Sequence, residues 1–109
     1  MRRRGRRDAN HQAIVDGFRR VGCSVLDLGN VGDGCPDLLV GVPSGRMLGE
    51  GDRWSTSINL LVEIKDGTRK PSEQRLTEAE AAFIDGWRGG RVFVVRSLAE
   101  ALALVGVRM

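Results

Sequence analysis

The sequence predicts an α/β domain, a four-stranded mixed sheet flanked by helices in the order α-β-β-β-α-β-α. Three observations carry that prediction. Apolar residues recur at helical spacing near the N-terminus and twice in the second half, and four short β-branched or continuously apolar runs lie among them. Glycine, proline or a capping pair marks the junctions between these segments. At 109 residues the chain is sized for one domain, and it shows no internal repeat, low-complexity segment or interdomain linker.

In the first helix, expected over 9–21, Ala9, Ala13, Ile14, Phe18 and Val21 share one face, with Asp8 as N-cap and Gly22 as stop. Residues 23–28 form a short apolar strand closed by a glycine-rich turn at 29–34. Pro36 precedes the run Leu38, Leu39, Val40, Gly41, Val42, and proline is tolerated at a strand's start but not in its middle, so the second strand begins there. Residues 43–57 hold Pro43, three glycines, mixed charges and Trp54 without either period, and are expected to be a long loop. Residues 58–65 are a third, central strand whose buried stretch ends in charge before Asp66 and Gly67. Thr77 and Glu80 form a capping box for a second helix that ends at Gly89 and Gly90, with Phe83 and Trp87 expected in its core. Residues 92–95 make a fourth strand. Ser97 and Glu100 repeat the capping spacing ahead of Leu98, Ala101, Leu102 and Val105, an extra C-terminal helix.

Charge divides the chain. Lys+Arg total 17 against 14 Asp+Glu, a net charge of +3, but Arg2, Arg3, Arg4, Arg6 and Arg7 supply five of the positives, and without them 12 face 14, a balance of −2. Residues 1–7 are thus a basic arm on a slightly acidic domain, 8–109. An arm of this composition is either a solvated tail or a contact for a polyanion. At 41% hydrophobic and 28% charged the chain is expected to fold rather than remain disordered. No apolar stretch approaches the roughly 18 residues of a membrane span, and no apolar segment follows the arginines, so a cytoplasmic protein is expected. Cys23 and Cys35 have no CxxC spacing, and His11 is the one histidine, which argues against a zinc site and against Ser-His or Cys-His chemistry. Acid–base work falls to carboxylates and lysine.

Three such groups stand out. Asp37 opens an apolar strand, and Glu63 and Lys65 close another. Polar groups in buried strands need a reason. Side chains alternate on a strand, so Glu63 and Lys65 share a face while Ile64 points the other way. If the second and third strands are neighbours, Asp37, Glu63 and Lys65 converge. Two close carboxylates repel, and a hard cation with oxygen ligands offsets that repulsion, so a Mg2+ site follows. Such a metal polarises a phosphate oxygen and acidifies its water, while the lysine orients the water or stabilises the transition state.

The stretch Gly34-Cys35-Pro36-Asp37-Leu38-Leu39-Val40-Gly41, followed by Leu60-Leu61-Val62-Glu63-Ile64-Lys65-Asp66-Gly67, resembles the PD-(D/E)XK nuclease superfamily. Within it the chain looks most like the small phage-type VRR-NUC (virus-type replication-repair nuclease) domains, which are similar to Holliday-junction resolvases. The resemblance covers nearly the whole chain. It implies a restriction-endonuclease-like αβββαβ core and Mg2+- or Mn2+-dependent cleavage of branched or structured DNA. It further implies Asp37, Glu63 and the Ile64 carbonyl oxygen as metal ligands and Lys65 as the catalytic lysine. No small-molecule cofactor is implied. The chain departs from this pattern where many relatives carry a first-helix glutamate, since it reads Asn10, His11, Gln12, Ala13; Asn10 or Gln12 could contribute as neutral ligands or phosphate contacts. Relatives often show glutamine where Glu80 stands, and the capping box alone accounts for Glu80, which is given no catalytic role.

Arg3, Arg4, Arg6, Arg7, Arg69, Lys70 and Arg75 are the candidate DNA contacts. Trp54 could stack on an unpaired base or form a dimer surface. His11 is expected on the helix surface, and Cys35 in packing. A homodimer is expected, because one small domain offers one site and symmetric cutting of two strands needs two. Two other readings stay open. One is a non-catalytic DNA-binding protein retaining the nuclease fold. The other is an interaction module of unrelated sheet fold in which Glu63 and Lys65 merely pair.

Overall fold

The computed structural model describes residues 8–43, 47–48, 52–53 and 57–107. The chain begins with helix α1 (His11–Arg20) and strand β1 (Ser24–Asp27), then β2 (Leu38–Val42) and the two-residue strands β3 (Met47–Leu48) and β4 (Asp52–Arg53). Strand β5 (Ile58–Ile64), a 3-10 turn (Pro71–Gln74), helix α2 (Glu78–Gly86), strand β6 (Val92–Val95) and helix α3 (Leu98–Leu104) complete it. The main sheet has four strands in the order β1-β2-β5-β6. β2 runs antiparallel to both of its neighbours, β1 and β5, and β6 runs parallel to β5. The expected α/β class, mixed four-stranded sheet and flanking helices are therefore present, and β2 and β5 are neighbours. One difference lies in 43–57, where β3 and β4 pair antiparallel within the stretch expected to be a loop; two-residue strands are too short to show a period. Trp54 and the arm arginines Arg2, Arg3, Arg4, Arg6 and Arg7 lie outside the described residues.

Register fixes the two faces of the sheet. Leu38, Val40 and Val42 of β2 and Leu60, Val62 and Ile64 of β5 point to one side and pack with Ile14, Val15 and Phe18 of α1 and Ala101 and Val105 of the α3 end. Helices α1 and α3 lie against each other over this layer. Gly17 permits the close crossing, since a Cβ there would stand 2.5 Å from Leu98 Cδ1. The opposite face carries Leu26, Leu39 and Leu61 in one cross-strand row, and Glu63 farther along β5. Alternation along the strand thus turns Glu63 and Lys65 away from the helical layer, as expected, with Ile64 fully buried between them.

Capping explains most helix ends. Gly22, at φ 97°, stops α1, and the Thr77 and Ser97 side chains accept the N–H groups of Glu80 and Glu100. The start of α1 differs from expectation: Asn10, not Asp8, is the N-cap, and its side chain makes no cap hydrogen bond. Helix α2 also differs. It ends at Gly86 rather than Gly89, contains no buried residue, and leaves Phe83 half-buried and Trp87 46% exposed, so neither is core. Gly34, at φ +78°, lets the turn before β2 pass close to the backbone of α2, since a Cβ there would collide with the Ala79 carbonyl.

Gly34→Ala combines a disfavoured φ with a backbone collision and should destabilise the fold by about 2 kcal/mol or more. Gly86→Ala, whose Cβ meets nothing within 4 Å, should be neutral or slightly stabilising. Urea denaturation of the two variants checks this, and equal stability would refute the packing role of Gly34.

Candidate active site at the ends of β2 and β5

Asp37, Glu63 and Lys65 come together as the strand pairing requires. The Asp37 Oδ2 accepts the Ile64 N–H at 2.7 Å, which pins the start of β2 to the end of β5. Lys65 lies just past β5, its N–H bonded to the Val95 carbonyl, so the parallel ladder continues through it. Its Nζ donates to Glu80 Oε1 at 2.8 Å and lies 3.5 Å from Glu63 Oε2. Glu63 and Lys65 are both buried, at 3% and 8% exposure.

Glu80 therefore belongs to the site, contrary to the expectation that capping alone explains it. The same Oε1 that receives Lys65 also accepts the Thr77 N–H at 2.8 Å, so one oxygen caps α2 and anchors the lysine. No local pattern could show this, because it depends on how residues 66–76 carry α2 back over the sheet. Asp8 contributes charge beside Lys65, Asp66 and Glu80.

The electrostatics follow from burial. Glu63 is pushed up to about 9 by burial first, then by the Asp37 and Glu80 charges, against the pull of Lys65. Asp37 is raised by burial, opposed chiefly by the Ile64 N–H. Burial would lower the Lys65 ammonium, but the Glu80 hydrogen bond and charge, with Glu63 and Asp8, outweigh it and hold Lys65 above its ordinary value. Burial likewise works to raise Glu80, and the Lys65 and Thr77 hydrogen bonds overcome it and hold Glu80 low. Near neutral pH Glu63 is thus the protonated member, sharing hydrogen bonds with Asp37 and Glu80. The Cys35 thiol, half-buried, is raised by burial and then by Glu63 and Asp37, which places it beside both carboxylates.

The first helix contributes differently from expectation. Asn10 Nδ2 donates to the Lys65 and Arg96 carbonyls, both at 3.2 Å, and so ties the start of α1 to the ends of β5 and β6. Its Oδ1 is buried and has no partner. Gln12 bonds Asp16 on the exposed side of α1 and stays away from the site. His11 is buried rather than on the surface, with Nε2 3.1 Å from Asp27 Oδ2. A legible signal existed, since His11 continues the stripe of Ile14, Val15 and Phe18 at helical spacing. Arg69, Lys70 and Arg75 are exposed in the segment after Lys65, and Arg69 pairs with Glu73 at 2.7 Å.

Among the described residues no group of three or more His, Cys, Asp and Glu side chains is arranged as a metal cluster. Mg2+, however, is usually held by one or two carboxylates together with waters and substrate phosphates. Half-buried Asp37 and buried Glu63 bring carboxyl oxygens together and fit that mode, because a cation could replace the proton that Glu63 holds. Comparison with protein-family models, curated proteins and solved structures finds no match to this chain.

Because Glu63 binds its proton more tightly folded than unfolded, the metal-free protein is favoured at low pH. It should lose stability as pH rises from the ordinary range of a glutamate carboxyl towards about 9. Denaturation in a chelator at pH 5, 7 and 9 should show the parent falling relative to Glu63→Gln, with a slope of up to about 1.4 kcal/mol per pH unit. Parallel curves would refute the assignment.

Proposed function

We propose that this chain is a metal-dependent nuclease of the PD-(D/E)XK type, with a restriction-endonuclease-like fold. Its expected substrate is branched or structured DNA, as the VRR-NUC resemblance suggests. The observation that carries this reading is the convergence of Asp37, Glu63 and Lys65 on one sheet face at the paired ends of β2 and β5, with Glu63 and Lys65 buried there. A structural ion pair at a strand end would not require a second strand's carboxyl to be pinned beside it.

Asp37 and Glu63, with the Ile64 carbonyl oxygen, would hold Mg2+ or Mn2+. The metal, when bound, supplies Lewis-acid polarisation of the scissile phosphate and a more acidic water. The chain's own residues do the rest. Asp37 is held in place by the Ile64 N–H. The Lys65 ammonium, kept protonated by Glu80, stands where it can orient the attacking water or stabilise the added negative charge. Glu80 restrains Lys65 and keeps it from collapsing wholly onto Glu63. Exposed Arg69, Lys70 and Arg75 are positioned after the catalytic strand to meet the flanking phosphates. Symmetric cutting of two strands would call for a homodimer.

A second reading, a DNA-binding protein without catalysis, is favoured by the Lys65 contact with Glu80, which occupies the ammonium with a carboxylate other than a metal ligand. A cleavage panel separates the two. With Mg2+ or Mn2+, four-way junction, flap, single-stranded and linear duplex DNA should include at least one cleaved substrate, and Asp37→Asn or Lys65→Ala should reduce its cleavage at least about a hundredfold. Binding without any cleaved product would support the second reading, and full-rate cleavage by either variant would refute the site.

A further inference from the structure

The face of the sheet that carries Glu63 continues into a groove that the catalytic reading leaves unused. Leu61 stands two residues before Glu63 and Asn59 two before that, on the same face, in steps of about 7 Å. Leu39 lies opposite Leu61 in register. Trp87, Gly89 and Arg91 close the other side of a groove of about 370 Å³, within the range of small-molecule clefts of roughly 300–1,000 Å³. Its floor is apolar, its wall is aromatic, and none of its lining residues is acidic.

Trp87 is built for contact rather than for packing. It sits beyond the end of α2 in extended backbone, 46% exposed, on a helix with no buried residue. The Phe83 ring stacks on it, with centroids 5.2 Å apart and planes 13° from parallel, which fixes the orientation of the indole. A Cβ at Gly89 would come within 2.8 Å of the indole Nε1, so glycine is what lets the chain pass the ring edge. Asn59, exposed, offers an amide donor and acceptor that match the edge of a base. Arg88 and Arg91 are exposed on either side of the two glycines, suited to the phosphates of a strand.

We infer that this groove is a subsite for one unpaired nucleobase of the DNA strand whose phosphate lies at the Asp37, Glu63 and Lys65 site. The inference rests on the nuclease reading and narrows its substrate to DNA with an extrahelical or single-stranded base beside the cut. An aromatic wall over an apolar floor accepts any base by stacking, so selection is for unpaired structure rather than for sequence.

The test uses the full chain with Trp54→Phe, which leaves Trp87 as its one tryptophan, and a chelator to prevent cleavage. Three labelled duplexes are compared: fully paired, with one bulged thymine, and with an abasic residue in the bulge. The bulged base should quench Trp87 fluorescence and bind about tenfold more tightly than the abasic bulge. Trp87→Ala and, independently, Asn59→Ala should narrow that gap, while Trp87→Phe should keep most of it. Equal affinity for the three duplexes, or a gap unchanged in both alanine variants, would overturn the subsite. Sedimentation showing that Trp87→Ala dissociates a dimer, with base discrimination intact, would assign the face to a second copy instead. Discrimination without cleavage of any DNA in Mg2+ would sink the nuclease reading and leave the subsite standing. Cleavage without discrimination would do the reverse.

Discussion

A carboxyl and an ammonium buried at the end of the central strand set the terms for the rest of the molecule. Glu63 and Lys65 sit where β5 leaves the sheet, directly after the apolar run Leu60, Leu61 and Val62, and both are buried. Buried charge is costly unless it is paired and hydrogen-bonded. Glu80 of α2 meets Lys65, Asp37 at the start of β2 lies against the Ile64 N–H, and Asn10 ties the Lys65 carbonyl to α1. Four segments distant in sequence are thereby fastened at one point.

That point is over-supplied with acid. Glu63, Glu80 and the nearby Asp8 share Lys65, Asp37 adds a further carboxylate beside Glu63, and burial together with the Asp37 and Glu80 charges pushes Glu63 up to about 9. A purely structural pair would need one carboxylate. On the proposed nuclease reading the surplus has a use, because a divalent cation would take the place of the Glu63 proton. The −2 balance of the domain outside its arm is compatible with a DNA partner on the same ground, since two of its carboxylates would face a metal rather than a phosphate.

Much of this was legible in the sequence, and the reasons for the rest are specific. β2 was readable because Pro36 and an unbroken apolar run define it, and β5 because its run ends in two charges at strand spacing. The meeting of Asp37 with Glu63 needed only that the two strands be adjacent. Glu80 was hidden because its capping role is complete by itself, and its second contact is made across 15 residues. Trp87 reads as core because it stands at helical spacing from Phe83, whereas α2 stops at Gly86 and leaves it exposed. From the sequence Asn10 is a candidate ligand or phosphate contact, yet its amide spans two strand ends 55 and 86 residues away, a pairing that no local pattern encodes.

The most direct measurement of the central claim is calorimetric titration of Mn2+ into the metal-free protein at pH 7, in two buffers of different ionisation enthalpy. Binding should be detected and should release about one proton, the one held by Glu63, and Glu63→Gln should show neither the heat nor the release. Absence of binding in the parent, or an equal titration in Glu63→Gln, would contradict the account.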